Sequence, residues 1–140
     1  MMNNNASSLS PELFRVIDAN LNRLREGIRV VEDIMRYKAN NKTLASQLKT
    51  LRHKAQTPDT KLLLAHRDSI NDVLKSSTKS EQKRHNLESI IIANFKRAEE
   101  SARVLEELYK LTSVESSELF KTIRYELYNL EKEILLNESI

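Results

Sequence analysis

The sequence predicts an all-α protein, and three observations lead to this prediction. Only one of its 140 residues is glycine and two are proline, whereas average usage would give roughly ten and seven. Apolar residues recur at three- and four-residue spacing along most of the chain, as they do on one face of a helix. Hydrophobic residues make up 39% and charged residues 31%, a balance typical of a helical bundle.

The same composition excludes several kinds of functional site. A P-loop, a dinucleotide-binding turn and a kinase glycine-rich flap each need several glycines, and this chain has one. The absence of cysteine excludes disulfide bonds, thiolate metal centres and cysteine nucleophiles. The net charge is only +3, and basic and acidic residues alternate closely, so we expect no nucleic-acid partner.

Three helical segments are predicted in the first half of the chain. The first begins at Ser10-Pro11, where a hydroxyl cap precedes a proline at the first helical position, and continues to about Tyr37. Asn40-Asn41 ends it, and a second helix is predicted to begin near Thr43. Thr57-Pro58 then restarts the chain into a short third segment.

The second half is predicted to hold two long helices after the one long loop of the chain. Residues 67–80 are rich in polar residues and form that loop. Ser80 is predicted to cap a helix that continues to about Leu111. Thr112–Glu115 resembles a capping box and precedes the last helix.

An internal repeat indicates how these helices are organised. Ala19–Asp33 aligns without a gap with Ala93–Glu107, 74 residues later, and the matches include polar residues. Leu48–His53 aligns with Phe120–Tyr125, 72 residues later. We therefore predict a helical bundle built from two repeated helical hairpins that are related by a pseudo-twofold axis.

The polar start of the chain is expected to be a disordered tail over residues 1–9. Residues 10–140 then form a single helical domain, with repeat halves at about 10–66 and 80–138. We find no signal-peptide core and no apolar run long enough to cross a membrane, so we expect a cytoplasmic protein without a membrane partner.

Polar residues border the apolar face of the first helix and recur in the second half. Asn20, Arg23 and Glu26 are the first set, and Arg97 is the repeat counterpart of Arg23. Two interpretations remain open. One is an intramolecular network, in which Arg23 pairs with Glu26 and Arg29 pairs with the acid four residues later. The other is a polar cleft between the hairpins in which Arg23 and Arg97 face a phosphate.

The only glycine, Gly27, lies in the middle of the predicted first helix. A mid-helix glycine costs roughly 1 kcal/mol relative to alanine. Its presence therefore indicates either close packing against another helix or the close approach of a ligand.

Three basic or titratable residues share one face of the second helix, namely Lys49, Arg52 and His53. They are either solvated charges whose apolar stems cover the bundle or members of a phosphate-binding cluster. Tyr125 occupies the repeat position of His53, so His53 marks a place where the two halves diverge.

The long loop carries Arg67, Asp68 and Asp72, which have no counterpart in the second half. These residue types are ordinary in solvated turns. Two carboxylates four residues apart beside an arginine are also suited to holding a hydrated magnesium ion and a nucleotide phosphate.

Several motifs together resemble one family. Arg15–Asp33, Lys49–His53, Arg67–Val73 and Asn94–Glu107 are similar to motifs of the all-helical hydroxymethylpyrimidine phosphate kinase domain that is often fused ahead of thiamine phosphate synthase. The resemblance covers nearly all of residues 12–135. It implies Mg²⁺-dependent transfer of a phosphoryl group from ATP to a phosphorylated pyrimidine, with thiamine phosphate synthase as a partner.

Under this hypothesis we assign a role to each candidate residue. Asn20 orients the pyrimidine or a phosphate, and His53 or Glu26 acts as a base for the substrate hydroxyl. Asp68 and Asp72 hold the Mg²⁺ ion. Arg67 is placed among the catalytic residues. The cationic side chains, Arg67 included, bind phosphate: Arg23, Arg29, Lys49, Arg52, Arg67 and Arg97.

Two other functions remain open from the sequence. The first is a non-catalytic helical module that binds a phosphorylated metabolite or a partner protein, which is favoured by Leu74 standing where the family's loop has glycine. The second is a helical chorismate mutase, whose arginine-bearing helices are similar but lack the duplication and the loop. The sequence also leaves a homodimer open, since no clean heptad seam defines an oligomer.

Overall fold

A computed structural model describes residues 9–139, apart from the side chain of Ser80, and shows an all-α bundle as predicted. Its helices are α1 (Pro11–Asp33), which continues as a π-helical turn (Ile34–Lys38), α2 (Lys42–Lys54), α3 (Thr60–Ala65), α4 (Lys79–Gln82), α5 (Leu87–Tyr109) and α6 (Val114–Asn137). The residues before Leu9 include most of the predicted tail and lie outside this description. Leu9 itself is buried in the core.

The centre of the bundle is the pair α1 and α5, with α2 packed on α1 and α6 packed on α5. Each of these four helices contributes fully buried apolar side chains, among them Leu24, Leu48, Phe95 and Ile123. The two repeated sequence segments thus form two hairpins, α1–α2 and α5–α6, that meet through their first helices. No helix in the described part of the chain is long and apolar enough to span a membrane.

The crossing of α1 and α5 explains Gly27. A Cβ atom at this position would lie 2.8 Å from the carbonyl oxygen of Asn94 and 3.3 Å from the Cβ of Ala98. Gly27 meets Asn94 and Ala98, whereas Asn20, which is earlier in α1, lines a cleft with Ser101 and Val104, which are later in α5. The two helices therefore run antiparallel. Of the two interpretations of Gly27, close helix packing is the one that the structure supports.

Within each hairpin, a buried ion pair holds the second helix to the first. Arg52 of α2 binds Glu32 of α1 through two hydrogen bonds of 2.6 and 3.1 Å. In the second hairpin, Arg124 of α6 binds one carboxylate oxygen of Glu106 in α5 at 2.8 and 3.2 Å. All four residues occupy matching positions of the repeat, which explains why their polar character is repeated.

A second repeated pair lies on the surface. Arg29 binds Asp33 at 3.1 Å and Arg103 binds Glu107 at 2.8 Å, each four residues further along its own helix. The predicted intramolecular network is therefore present for Arg29.

The ends of α1 and α2 agree with the sequence prediction to within two residues. Ser10 caps α1 by accepting a hydrogen bond from the Leu13 amide. Asn40 adopts a left-handed conformation with φ of 52° that turns the chain after the π-helical turn. Asn41 then caps α2 by accepting a hydrogen bond from the Leu44 amide at 2.9 Å.

The predicted start of the third long helix at Ser80 is wrong. The helix α5 begins at Leu87, and Asn86 and Ser89 form a capping box that fixes this start. Ser80 instead lies within α4, a single turn that Thr78 caps. The sequence holds capping residues at Thr78 and Ser80 and again at Asn86, and the long helix begins after Asn86.

Candidate functional site

A cleft of about 640 Å³ lies between α1, α5 and the loop that follows α3. We call it the loop cleft. It brings together seven of the residues that the sequence singled out: Asn20, Arg23, Glu26, Arg67, Asp68, Asp72 and Arg97.

An ion pair fixes the loop against α1. Arg67 binds both carboxylate oxygens of Asp18 through two hydrogen bonds of 2.8 Å each. Asp18 is buried, with 5% of its surface exposed, and Asn22 also donates to it at 3.4 Å. Arg15 donates a further hydrogen bond to the backbone carbonyl of Asp68 at 3.0 Å. The loop is thus held at two points on one side of α1, by three hydrogen bonds in all.

The two carboxylates of the loop stabilise its turns. Asp68 accepts hydrogen bonds from the backbone amide of Asn71 at 3.1 Å and from its side chain at 2.7 Å. These hydrogen bonds lower the pKa of Asp68, so the group is ionised at neutral pH. Asp72 accepts a hydrogen bond from the amide of Leu74 at 2.9 Å. Both carboxylates line the cleft, so one of its walls is negatively charged.

The same cleft carries two further cations. Arg23 of α1 and Arg97 of α5 form neither a hydrogen bond nor a direct ion pair with any residue that the structure describes. Hydrogen bonds with Thr78 and, to a smaller extent, the charge of Arg97 lower the pKa of Glu81, so this carboxylate lies near Arg97 without binding it. The pairing of Arg23 with Glu26 that one interpretation predicted is absent among these residues. Guanidinium groups left unpaired in a cleft are well suited to bind phosphate through paired N–H donors.

A smaller cleft of about 330 Å³ adjoins the loop cleft along the α1–α5 seam. We call it the helix cleft, because helix residues alone line it. It shares Asn20, Arg23 and Arg97 with the loop cleft and adds Lys96 and Ser101 of α5, among others. Asn20 is buried, and its side-chain amide donates to the carbonyl of its own helix at residue 16, 2.9 Å away.

Four predicted site residues do not line the loop cleft. Arg52 is hydrogen-bonded to Glu32, and Arg29 is hydrogen-bonded to Asp33 on the surface. His53 is exposed on α2. Lys49 lines a separate cleft of about 300 Å³ between the end of α1 and α2. Lys49, Arg52 and His53 lie on α2, which contributes no residue to the loop cleft, and the side chain of Arg29 is held by Asp33 on the surface of α1.

The sequence analysis missed the residues that hold the loop. Asp18 could have been found, because an acid stands four residues after Phe14 on the apolar face of α1, where it needs a partner. The contact of Arg15 with a loop carbonyl had no comparable signal in the sequence.

The sequence profile of the ThiD2 family matches residues 15–133, which is most of the chain. The chain belongs to the ThiD2 family. Three similar curated proteins are each named thiamine-phosphate synthase. That of Thermosynechococcus vestitus is 38% identical over 98% of this chain and 39% of its own length. Those of Nostoc punctiforme and Synechocystis sp. are both 39% identical, over 88% and 86% of this chain and 35% and 36% of their own lengths.

This ThiD2-family chain therefore spans less than two fifths of the length of these relatives. Their names agree with the thiamine context that the family resemblance implied. No solved structure matches the chain significantly.

The loop conformation accommodates Leu74, at the position where the sequence resemblance led us to expect glycine. Asn40 is the only described non-glycine residue with a positive φ, so Leu74 has a backbone conformation that any residue adopts. Its amide is also the donor to Asp72. The substitution at position 74 thus introduces no backbone strain into the loop.

No group of three or more His, Cys, Asp or Glu side chains in the described chain is placed to hold a metal ion. Mg²⁺ commonly binds one or two carboxylates and completes its shell with water and substrate phosphates. Asp68 and Asp72 are the two loop carboxylates that would serve in that mode of binding, and both line the loop cleft.

Proposed function

We propose that this chain is an ATP-dependent kinase that converts hydroxymethylpyrimidine phosphate to the diphosphate in thiamine biosynthesis. The observation that carries the proposal is that Arg23 and Arg97, which form no hydrogen bond or direct ion pair with the described residues, line one cleft together with the loop carboxylates Asp68 and Asp72. Phosphoryl transfer needs charge neutralisation and alignment rather than a covalent protein intermediate. Membership of the ThiD2 family and the names of the relatives support the pathway.

The reaction requires no base from the protein. An oxygen of the acceptor's phosphate forms a bond to the terminal phosphorus of ATP, while the bond from that phosphorus to the bridging oxygen breaks. ADP leaves with the electron pair of that bond. A phosphate monoester has its second pKa near 6, so the attacking oxygen is largely ionised at neutral pH. The predicted roles of His53 and Glu26 as bases for a hydroxyl are therefore unnecessary for this acceptor.

The residues of the loop cleft supply the remaining requirements. Arg23 and Arg97 offset the negative charge of the transferring group and of the acceptor phosphate. Asp68 and Asp72 hold Mg²⁺, which shields the phosphates of ATP when it is bound. Arg67 is a positioning residue, because its hydrogen bonds to Asp18 are already made and hold the loop in place.

The test is turnover by the purified chain with ATP, Mg²⁺ and hydroxymethylpyrimidine phosphate, with ADP and the pyrimidine diphosphate followed by ³¹P NMR. We expect R23A and R97A each to lower kcat/KM by about 100-fold or more, the usual loss when one charge-stabilising group is removed. R25A is the matched control, since Arg25 is an exposed arginine of α1 that lines neither cleft.

If the purified chain is folded but forms no ADP, the kinase proposal is refuted. Binding of the pyrimidine phosphate without turnover would instead assign a non-catalytic, metabolite-binding module. An equal loss of activity in R25A and R97A would show that the cleft arginines have no special role. We further propose thiamine-phosphate synthase as the partner that uses the product, because the matched relatives carry that name over a longer chain.

A further inference from the structure

The loop cleft and the helix cleft are related to each other by the internal repeat. Arg23 and Arg97 occupy equivalent positions 74 residues apart, and both arginines line both clefts. Glu26 of the loop cleft corresponds in the same way to Glu100 of the helix cleft. Because α1 and α5 cross antiparallel, the duplication places two similar concave surfaces side by side with the arginine pair between them.

A serine hydroxyl distinguishes the helix cleft. Ser101 lines it with only 3% of its surface exposed, and its side chain makes no hydrogen bond with any residue that the structure describes. Its repeat counterpart is Gly27, which has no side chain. Since no protein group uses this hydroxyl, it is available to donate a hydrogen bond to a ligand in the cleft.

The two clefts differ in size and in charge. The loop cleft has about twice the volume and carries the carboxylates of Asp68 and Asp72, which suit a hydrated metal ion. The helix cleft lacks these two carboxylates, and the ammonium group of Lys96 beside it is held by Glu99 at 3.2 Å and Glu131 at 3.1 Å, so the shared arginines are the cations that meet a phosphate there. The first suits a large polyphosphate with its cation, and the second suits a small phosphate monoester.

We infer that the two clefts hold the two phosphorylated substrates of one transfer reaction at the same time. The magnesium–nucleoside triphosphate lies in the loop cleft, and the small phosphate monoester lies in the helix cleft with its phosphate near Ser101. The acceptor phosphate and the terminal phosphate of the nucleotide meet at Arg23 and Arg97. This inference rests on the proposed kinase function and adds to it the location of each substrate.

Simultaneous binding is tested by isothermal titration calorimetry on the full chain. The probes are hydroxymethylpyrimidine phosphate and β,γ-imido ATP with Mg²⁺, an analogue that resists transfer. We expect each probe to bind the chain already saturated with the other. Displacement of one probe by the other would overturn the inference, because it would place both ligands in one cleft.

Three variants test which substrate binds in each cleft. S101A is expected to raise the Kd of the pyrimidine phosphate by about three- to tenfold, the effect of one lost hydrogen bond, and to leave the Kd of the analogue unchanged. S116A is the matched control, since Ser116 lies on α6 outside both clefts. D72N is expected to weaken the analogue only when Mg²⁺ is present. R97A is expected to weaken both probes.

The outcomes separate this inference from the kinase proposal. ADP formation together with an S101A effect on the analogue alone would overturn the assignment of the clefts and leave the kinase standing. ADP formation with no S101A effect on either probe would overturn the helix cleft as a substrate site. A wild-type chain that binds neither probe and forms no ADP would overturn both proposals.

Discussion

Replacing Arg52 by alanine tests whether the arginine of the repeated Lys-x-x-Arg motif holds the hairpin together or binds phosphate. The side chain of Arg52 is 13% exposed, and that of its partner Glu32 is 2% exposed. Removing the arginine leaves a buried carboxylate without its partner, which costs about 3–5 kcal/mol. In a domain of this size each 1 kcal/mol shifts Tm by roughly 4 °C, so we expect R52A to lower Tm by about 12–20 °C.

The assay is urea unfolding followed by circular dichroism, with the free energy of unfolding taken from the midpoint and slope. The double variant E32M/R52M should recover much of the loss, because it leaves no unpaired charge in the interior. R25A should change the free energy of unfolding by less than about 0.5 kcal/mol, as surface substitutions usually do. The corresponding variant R124A should resemble R52A, since Arg124 binds Glu106 in the second hairpin.

The reasoning is refuted if R52A unfolds at the wild-type urea concentration and instead raises the Kd of the pyrimidine phosphate tenfold or more. That result would return Arg52 to the phosphate-binding set that the sequence suggested.

Three further predictions concern the helix crossing, a buried acid and the loop. G27A should lower the free energy of unfolding in urea by about 1–2 kcal/mol, because overpacking at the α1–α5 crossing outweighs the helix propensity gained. Burial and the neighbouring Glu131 raise the pKa of Glu99 to about 8 from its ordinary value of 4.5, so the folded chain holds a proton that the unfolded chain loses. Stability should therefore fall as the pH rises from about 4.5 to 8, and E99Q should flatten this fall in Tm measured across that range. R67A should lower Tm and speed proteolysis of residues 67–78, because it leaves Asp18 buried with a lost partner at a cost of about 1–3 kcal/mol.

Each of these has a clear contrary result. A G27A chain more stable than wild type would mean that the helices separate without cost. A Tm profile of E99Q that keeps the wild-type slope would place the titration elsewhere. Unchanged proteolysis in R67A would show that other contacts, such as that of Arg15 with the loop backbone, suffice to hold it.

Much of the fold could be predicted because its signals are local. The cap at Ser10, the break at Asn40 and the apolar spacing of α1 involve residues within a few positions of one another. The start of α5 could not be chosen in this way, because the Thr78 and Asn86 caps are both locally sound. In the structure, the helix that Thr78 caps (α4) ends after one turn, and the long helix α5 begins after Asn86.

The candidate site was only partly predictable. The repeat drew attention to Arg23 and Arg97, and the unmatched loop drew attention to Asp68 and Asp72. The sequence also gave Arg52 equal weight, since it cannot show which arginine has a carboxylate partner across the hairpin.

The sequence by itself determined the all-α class, the duplication and the set of polar residues available to a site. Only the tertiary structure decided which of those residues are hydrogen-bonded to a partner within the protein and which are left to contact a ligand. Arg52 and Arg67 bind carboxylates 20 and 49 residues away in the chain, whereas Arg23 and Arg97 form no hydrogen bond or direct ion pair with a carboxylate among the described residues. The physical reason is that periodicity and capping depend on near neighbours, whereas the partner of a long charged side chain depends on how distant segments pack.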